Sequence, residues 1–95
     1  MQSIATIPTA SASRYLQQLC KHWSHKFEVE FDPHAGRIEF GASTARFAAS
    51  GDALTITLDT ADAAQLDRME PVVAEHLQRF AFREDLAVAW SRASG

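Results

Sequence analysis

The residues best suited to chemistry lie in Cys20-Lys21-His22-Trp23-Ser24-His25-Lys26, which holds the only cysteine of the chain and two of its four histidines. Thiolate and imidazole are good donors for zinc and other transition metals, and a thiol beside an imidazole can form a nucleophile–base pair. Spacing decides between these uses. Ala12, Leu16, Leu19 and Trp23 recur at helical intervals, which places the stretch at the end of a helix. At 100° per residue, Cys20 projects about 160° from His22 and about 140° from His25, so the three cannot share a metal while the helix persists. Cys20 falls beside Leu16 and Trp23 as a small core hydrophobe. His22 and His25, three apart, occupy adjoining solvent-side positions and can face one ligand together, or simply solvate the helix end with Lys21 and Lys26.

A second group is His76, Arg79 and Arg83. His76 sits on the edge of an apolar stripe and Arg79 lies a turn beyond it. If the two helices lie side by side, these residues join Arg14, His22, His25 and Lys26 in a basic, histidine-bearing groove. Such a groove would take a carboxylate, phosphate or catecholate-like anion through charge-assisted bonds. The competing reading is a solvated helix face with pairs such as Glu75–Arg79. Glu28, Glu30 and Glu39 stand on a wet strand face, where no burial supports general-acid work. No Gly-rich phosphate loop, HExxH, GxSxG or EF-hand pattern occurs, and no catalytic residue, metal or cofactor is assigned.

The elements that carry these residues follow from periodicity. Ser3 to Ile7 reads as a short strand stopped by Pro8, and a helix runs from about Ala10 to Ser24, with Thr9, Ser11 or Ser13 as its cap. From Phe27 the period becomes two: four strands form a meander through Phe27–Phe31, Arg37–Phe40, Ala45–Ala49 and Leu54–Leu58. Glu28, Glu30, Glu39 and Arg46 point outward, with Arg37 set toward the inner side. Asp59, Thr60 or Asp62 caps a second helix in which Leu66, Met69, Val73, Leu77 and Phe80 stay in phase across Pro71, so a kinked helix is expected. Leu86, Val88 and Trp90 read as a closing strand, Ser91 to Gly95 as a fraying end, and Trp23, Phe80, Phe82 and Trp90 as core. The fold class is α+β: a curved antiparallel sheet with two helices on one face, ordered β-α-β-β-β-β-α-β. That order resembles the TATA-binding-protein-like architecture, which by itself assigns no function.

Composition narrows the uses. At 95 residues, 46% hydrophobic and 22% charged, the chain suits one domain spanning residues 1–95 with an ordered core of about 3–90. Its modest size makes a homodimer a useful source of stability. Nine Lys/Arg against twelve Asp/Glu give a formal charge of −3, which opposes broad binding to nucleic acid or anionic lipid. A lone cysteine makes no internal disulfide, and no signal-peptide pattern or membrane-length apolar run is present, so a cytoplasmic protein is expected.

The combination of RYLQQLCKHWSHK, the meander and HLQRFAFREDLAVAW resembles the bacterial family known as domain of unknown function 2218, from about Ala5 to Trp90. Cys20, His22, His25 and Lys26 match its first motif; His76, Arg79, Phe80, Phe82 and Arg83 match its second. The family carries no assigned activity. Related domains are sometimes joined to siderophore-interacting flavoproteins, so the resemblance implies at most an accessory place in iron handling, without a flavin or nicotinamide site in this chain. Three functions remain open. One is a non-catalytic module that binds an anionic small molecule, an iron chelate or a protein through His22, His25, Lys26, His76, Arg79 and Arg83. Another is a thiol/histidine enzyme or redox protein using Cys20. The third is a metal-stabilised dimer through His22, His25 and His76.

Overall fold

The computed structural model describes residues 1–93. Its elements run β1 (Gln2–Pro8), α1 (Ala12–Trp23), β2 (Glu28–Phe31), β3 (Ala35–Glu39), β4 (Ser43–Ala49), β5 (Ala53–Thr60), α2 (Ala63–Phe80) and β6 (Ser91–Ala93). The strands form a six-stranded sheet, ordered β2-β3-β4-β5-β1-β6, with every neighbouring pair antiparallel. The expected α+β class and element order are therefore present.

Alternation fixes which sheet face is covered. Ala5 and Ile7 of β1, Ile38 of β3, Ala45 and Phe47 of β4, and Leu54, Ile56 and Leu58 of β5 are all buried. They meet Leu16, Leu19 and Cys20 of α1 and Leu66, Val73 and Leu77 of α2 in one hydrophobic core. Burying the apolar stripe of each helix on this face is the main favourable term, since removing apolar surface from water is worth roughly 25 cal/mol per Å². The β3–β4 turn passes through Gly41 at φ +95°, a left-handed conformation that suits a residue without a Cβ.

Helix ends follow local chemistry. The Asp62 carboxylate accepts a hydrogen bond from the Gln65 N–H at 3.0 Å and caps α2, whereas Ser11 precedes α1 without a side-chain cap. Helix α2 continues through Pro71 as one element, its buried Leu66, Met69, Val73 and Leu77 holding a single stripe. Packing of that stripe outweighs the backbone bond that proline cannot make.

Four expectations need correction. The closing strand does not lie at Leu86, Val88 and Trp90. Leu86 is buried, and Val88 and Trp90 are half-buried against the core, but the backbone pairs with β1 only at Ser91–Ala93, opposite Gln2–Ile4. Arg92 explains the shift: its guanidinium reaches Asp67 at 2.6 Å and Glu70 at 3.0 Å on α2, and Ser3 donates to Glu70 at 2.6 Å. This clasp sets the edge strand where apolar alternation has already ended. Of the expected fraying end, Ser91 to Ala93 form β6 instead, and Ser94 and Gly95 lie outside the described residues. Arg37 faces outward, because Ile38 is the inner residue of β3 and Arg37 pairs across the strands with Glu30 and Arg46. Phe82 is 78% exposed, since α2 has ended and the chain turns away from the core.

Candidate functional site

Helical phase divides the Cys20–Lys26 stretch as its spacing requires. Cys20 is fully buried, and its environment pushes the thiol pKa up to about 11. It packs where α1 crosses β3 at Gly36; a Cβ on that glycine would lie 2.7 Å from the Cys20 Sγ. A buried, protonated thiol with no imidazole beside it on the core side is not a nucleophile, so the Cys20-based enzyme is set aside.

The solvent half of the stretch meets α2. The His22 and His76 ring centres are 5.2 Å apart, so the two histidine groups converge. They continue an aromatic ladder that starts beside the sheet, just before β2 and just after β3: Phe27 lies 4.8 Å from Phe40, Phe40 5.2 Å from Trp23, and Trp23 4.8 Å from His76. Phe80 completes the ladder 5.7 Å beyond His22. Trp23 is thus the core anchor that sets the histidine pair at the junction of the helices.

His76 is half-buried and its Nδ1 lies 2.7 Å from the Val72 carbonyl oxygen. A carbonyl only accepts, so Nδ1 carries a proton and, in the neutral ring, Nε2 holds the lone pair. His22 is more exposed. Its pKa is lowered from 6.5, first by partial burial among these rings, then by the positive field of His76, Arg79, His25 and Lys26.

Two hollows flank Phe80. One, of about 330 Å³, is lined by Gln18, Lys21, His22, His25 and Phe80. The other, of about 480 Å³, includes Arg14, Tyr15, Phe82, Arg83 and Glu84 and shares Gln18 and Phe80 with the first. They form a groove along α1, in which Arg14, Gln18, Lys21, His22 and His25 follow one another at helical intervals. Arg83 does not join His22: it stacks 5.5 Å over the Phe82 ring at the far end, near Arg14. The carboxylate there is occupied, since Glu84 accepts from the Tyr15 hydroxyl and from Thr9 Oγ1 at 3.0 Å. Burial and this bond to Glu84 raise the Tyr15 pKa.

Charge separates the groove from the open sheet face. Among the described residues, Arg14, Lys21, Lys26, Arg79 and Arg83 form no ion pair, and the anticipated Glu75–Arg79 pair is absent. On the sheet, Arg37 pairs with Glu39 at 2.6 Å and Glu30 at 3.6 Å, and Arg46 with Asp59 at 3.2 Å. The larger hollow, about 570 Å³, lies over these sheet residues, but its cations are already matched. Among the described residues no three His, Cys, Asp or Glu side chains converge on a metal position, so His25 does not join His22 and His76 as a third ligand within one chain. No helix among them is long and apolar enough to cross a membrane.

Of the residues that spacing singled out, His22 and His25 line the groove and His76 meets His22, while Lys26 and Arg79 line neither hollow and act on His22 through their charge. Sequence reasoning missed Gln18 and gave Lys21 only a solvating role, although Gln18 stands four residues before His22 and Lys21 four before His25. It gave no sign of the Tyr15–Glu84 bond, whose partners are 69 residues apart.

No curated protein is detectably similar to this chain. The NMR structure of PA4090 from Pseudomonas aeruginosa is similar over 99% of this chain and 98% of its own, with 45% identity and a TM-score of 0.83. The model of the family described as uncharacterized protein conserved in bacteria, DUF2218, matches residues 4–91, and the chain belongs to that family.

Proposed function

We propose that this protein is a non-catalytic binding module whose α1–α2 groove takes an anionic small molecule with an apolar body. The observation that supports it most is the row of Arg14, Lys21 and Arg83 along the groove, with Lys26 and Arg79 adding positive charge at His22 and none of the five in an ion pair among the described residues, in a chain of net charge −3. Unpaired cations placed close together repel one another, and a bound anion relieves that repulsion while gaining charge-assisted hydrogen bonds. Phe80 and Phe82 give the groove apolar walls, so a phosphate or carboxylate attached to a ring fits it better than the bare ion. An iron chelate bearing free carboxylates falls within the same class. The buried, unpaired Cys20 suits a reducing compartment such as the cytoplasm.

Calorimetric titration with phosphate, phenyl phosphate and citrate tests this reading. Phenyl phosphate and citrate are expected to bind more tightly than phosphate, and Lys26→Ala with Arg79→Ala to remove most of the heat. Absence of heat from all three ligands up to about 10 mM, which bounds the binding free energy at only a few kcal/mol, would refute it.

A further inference from the structure

We propose that His22 and His76 form a two-imidazole site for a borderline divalent metal, Ni²⁺, Cu²⁺ or Zn²⁺, that arrives already held by an anionic carboxylate chelator. The inference rests on the anion-binding reading of the groove and names the class of anion. Two imidazoles bound to one metal through nitrogens at about 2.0–2.1 Å have ring centres about 5 Å apart, and the His22 and His76 centres stand at 5.2 Å. His76 also carries the hydrogen bond that prepares a histidine for coordination. Its Nδ1–H donates to the Val72 carbonyl, which fixes the ring and leaves Nε2 free to bind. His22 is exposed beside the groove, so a ligand reaches the pair from solvent.

The surroundings select the form in which the metal comes. Among the described residues no third protein donor completes the site, and two imidazoles alone hold a bare ion weakly. Arg79, Lys26 and His25 all act on His22, and their positive charge repels a free cation. A chelate with an overall negative charge reverses that sign: its carboxylates face Arg79 and Lys26, and its metal keeps adjacent positions open for the imidazoles. Imidazole donors favour nickel, copper and zinc over harder ions such as magnesium.

Ni²⁺–nitrilotriacetate and Ni²⁺–EDTA separate coordination from charge. Both complexes are anionic, but only the first leaves adjacent metal positions open. The expected result is that Ni²⁺–nitrilotriacetate binds at least about tenfold more tightly than Ni²⁺–EDTA, because the second imidazole closes intramolecularly. It should broaden the ring-proton resonances of His22 and His76 before those of His34. His22→Gln and His76→Gln should each abolish the preference, with His22→Gln, at an exposed position, guarding against loss of folding. Equal affinities for the two chelates, or a preference that survives both substitutions, would overturn the proposal. Citrate binding alongside equal affinities leaves the anion groove standing; an intact, histidine-dependent nickel preference with no heat from phosphate, phenyl phosphate or citrate refutes the groove alone.

Discussion

The open sheet face and the α1–α2 groove both present cations, but they treat them in opposite ways. On the sheet, each arginine has been answered by the chain itself: Arg37 by Glu30 and Glu39, Arg46 by Asp59. Cross-strand register helps, because Glu30 stands directly opposite Arg37, and Asp59 lies two residues along β5 from Thr57, the direct partner of Arg46, within diagonal reach of that arginine. In the groove the chain provides Arg14 and Lys21 from α1 and Arg83 from beyond α2, and the available carboxylate, Glu84, is tied to Tyr15 and Thr9. A face that neutralises itself has little left to offer an anion. A face that gathers charge without neutralising it carries a standing repulsion that a ligand can relieve. The size of a hollow is therefore a poor guide here, since the larger one lies over the self-neutralised sheet.

The strongest way to break this comparison is charge reversal on each side. Lys26→Glu with Arg79→Glu is expected to weaken citrate binding on the order of 100-fold, because like charges placed against a ligand cost several kcal/mol. Arg37→Glu with Arg46→Glu should change it less than about twofold, since those groups lie outside the groove and screening removes their residual field. Calorimetry on the two double variants reads both effects. Comparable losses in both would mean that overall charge, not the groove, governs binding.

The Ser3–Glu70–Arg92 clasp sharpens the paired side of the comparison. Ser3→Ala is expected to destabilise the fold by about 1–2 kcal/mol in urea unfolding, as a fully buried hydroxyl loses its bond to a charged partner. The clasp also makes a pH prediction. Arg92 first, then Ser3, hold the Glu70 pKa below its ordinary 4.5, so the folded state binds the Glu70 proton less readily than the unfolded one. Its contribution is complete above the unfolded value and is lost as pH falls through the folded one. Urea unfolding between about pH 5 and pH 3 should therefore show a shallower acid loss in Arg92→Gln than in the natural chain. An identical slope would remove Glu70 from the account. Smallest of all, Arg46→Gln should cost at most about 1 kcal/mol, the usual worth of an exposed pair.

The two regions also differ in how far the sequence discloses them. Helical phase at 100° per residue was enough to split Cys20 and Trp23 from His22 and His25, and the meander was visible in the alternation from Phe27 to Leu58. The meeting of His22 with His76 depended on the packing of α1 against α2, which periodicity on each helix leaves open. It became determinate only through Trp23, whose ring lies against both Phe40, just after β3, and His76 of α2. The edge strand at Ser91–Ala93 was not legible, because Ser-Arg-Ala has no apolar alternation and its place is fixed by the reach of Arg92 to α2. Phe82 misled because aromatic residues are usually core, yet it follows the end of α2 and serves the groove wall instead.

The most direct test of the central claim is a map of backbone amide shifts during a citrate titration. The account expects the largest changes along residues 18–26, at the end of α1 and in the turn after it, and 76–83 around the end of α2, with the outward residues of β3, β4 and β5 unmoved. Shifts centred instead on Arg37, Arg46, Thr55 and Thr57 would contradict it and place the ligand on the sheet.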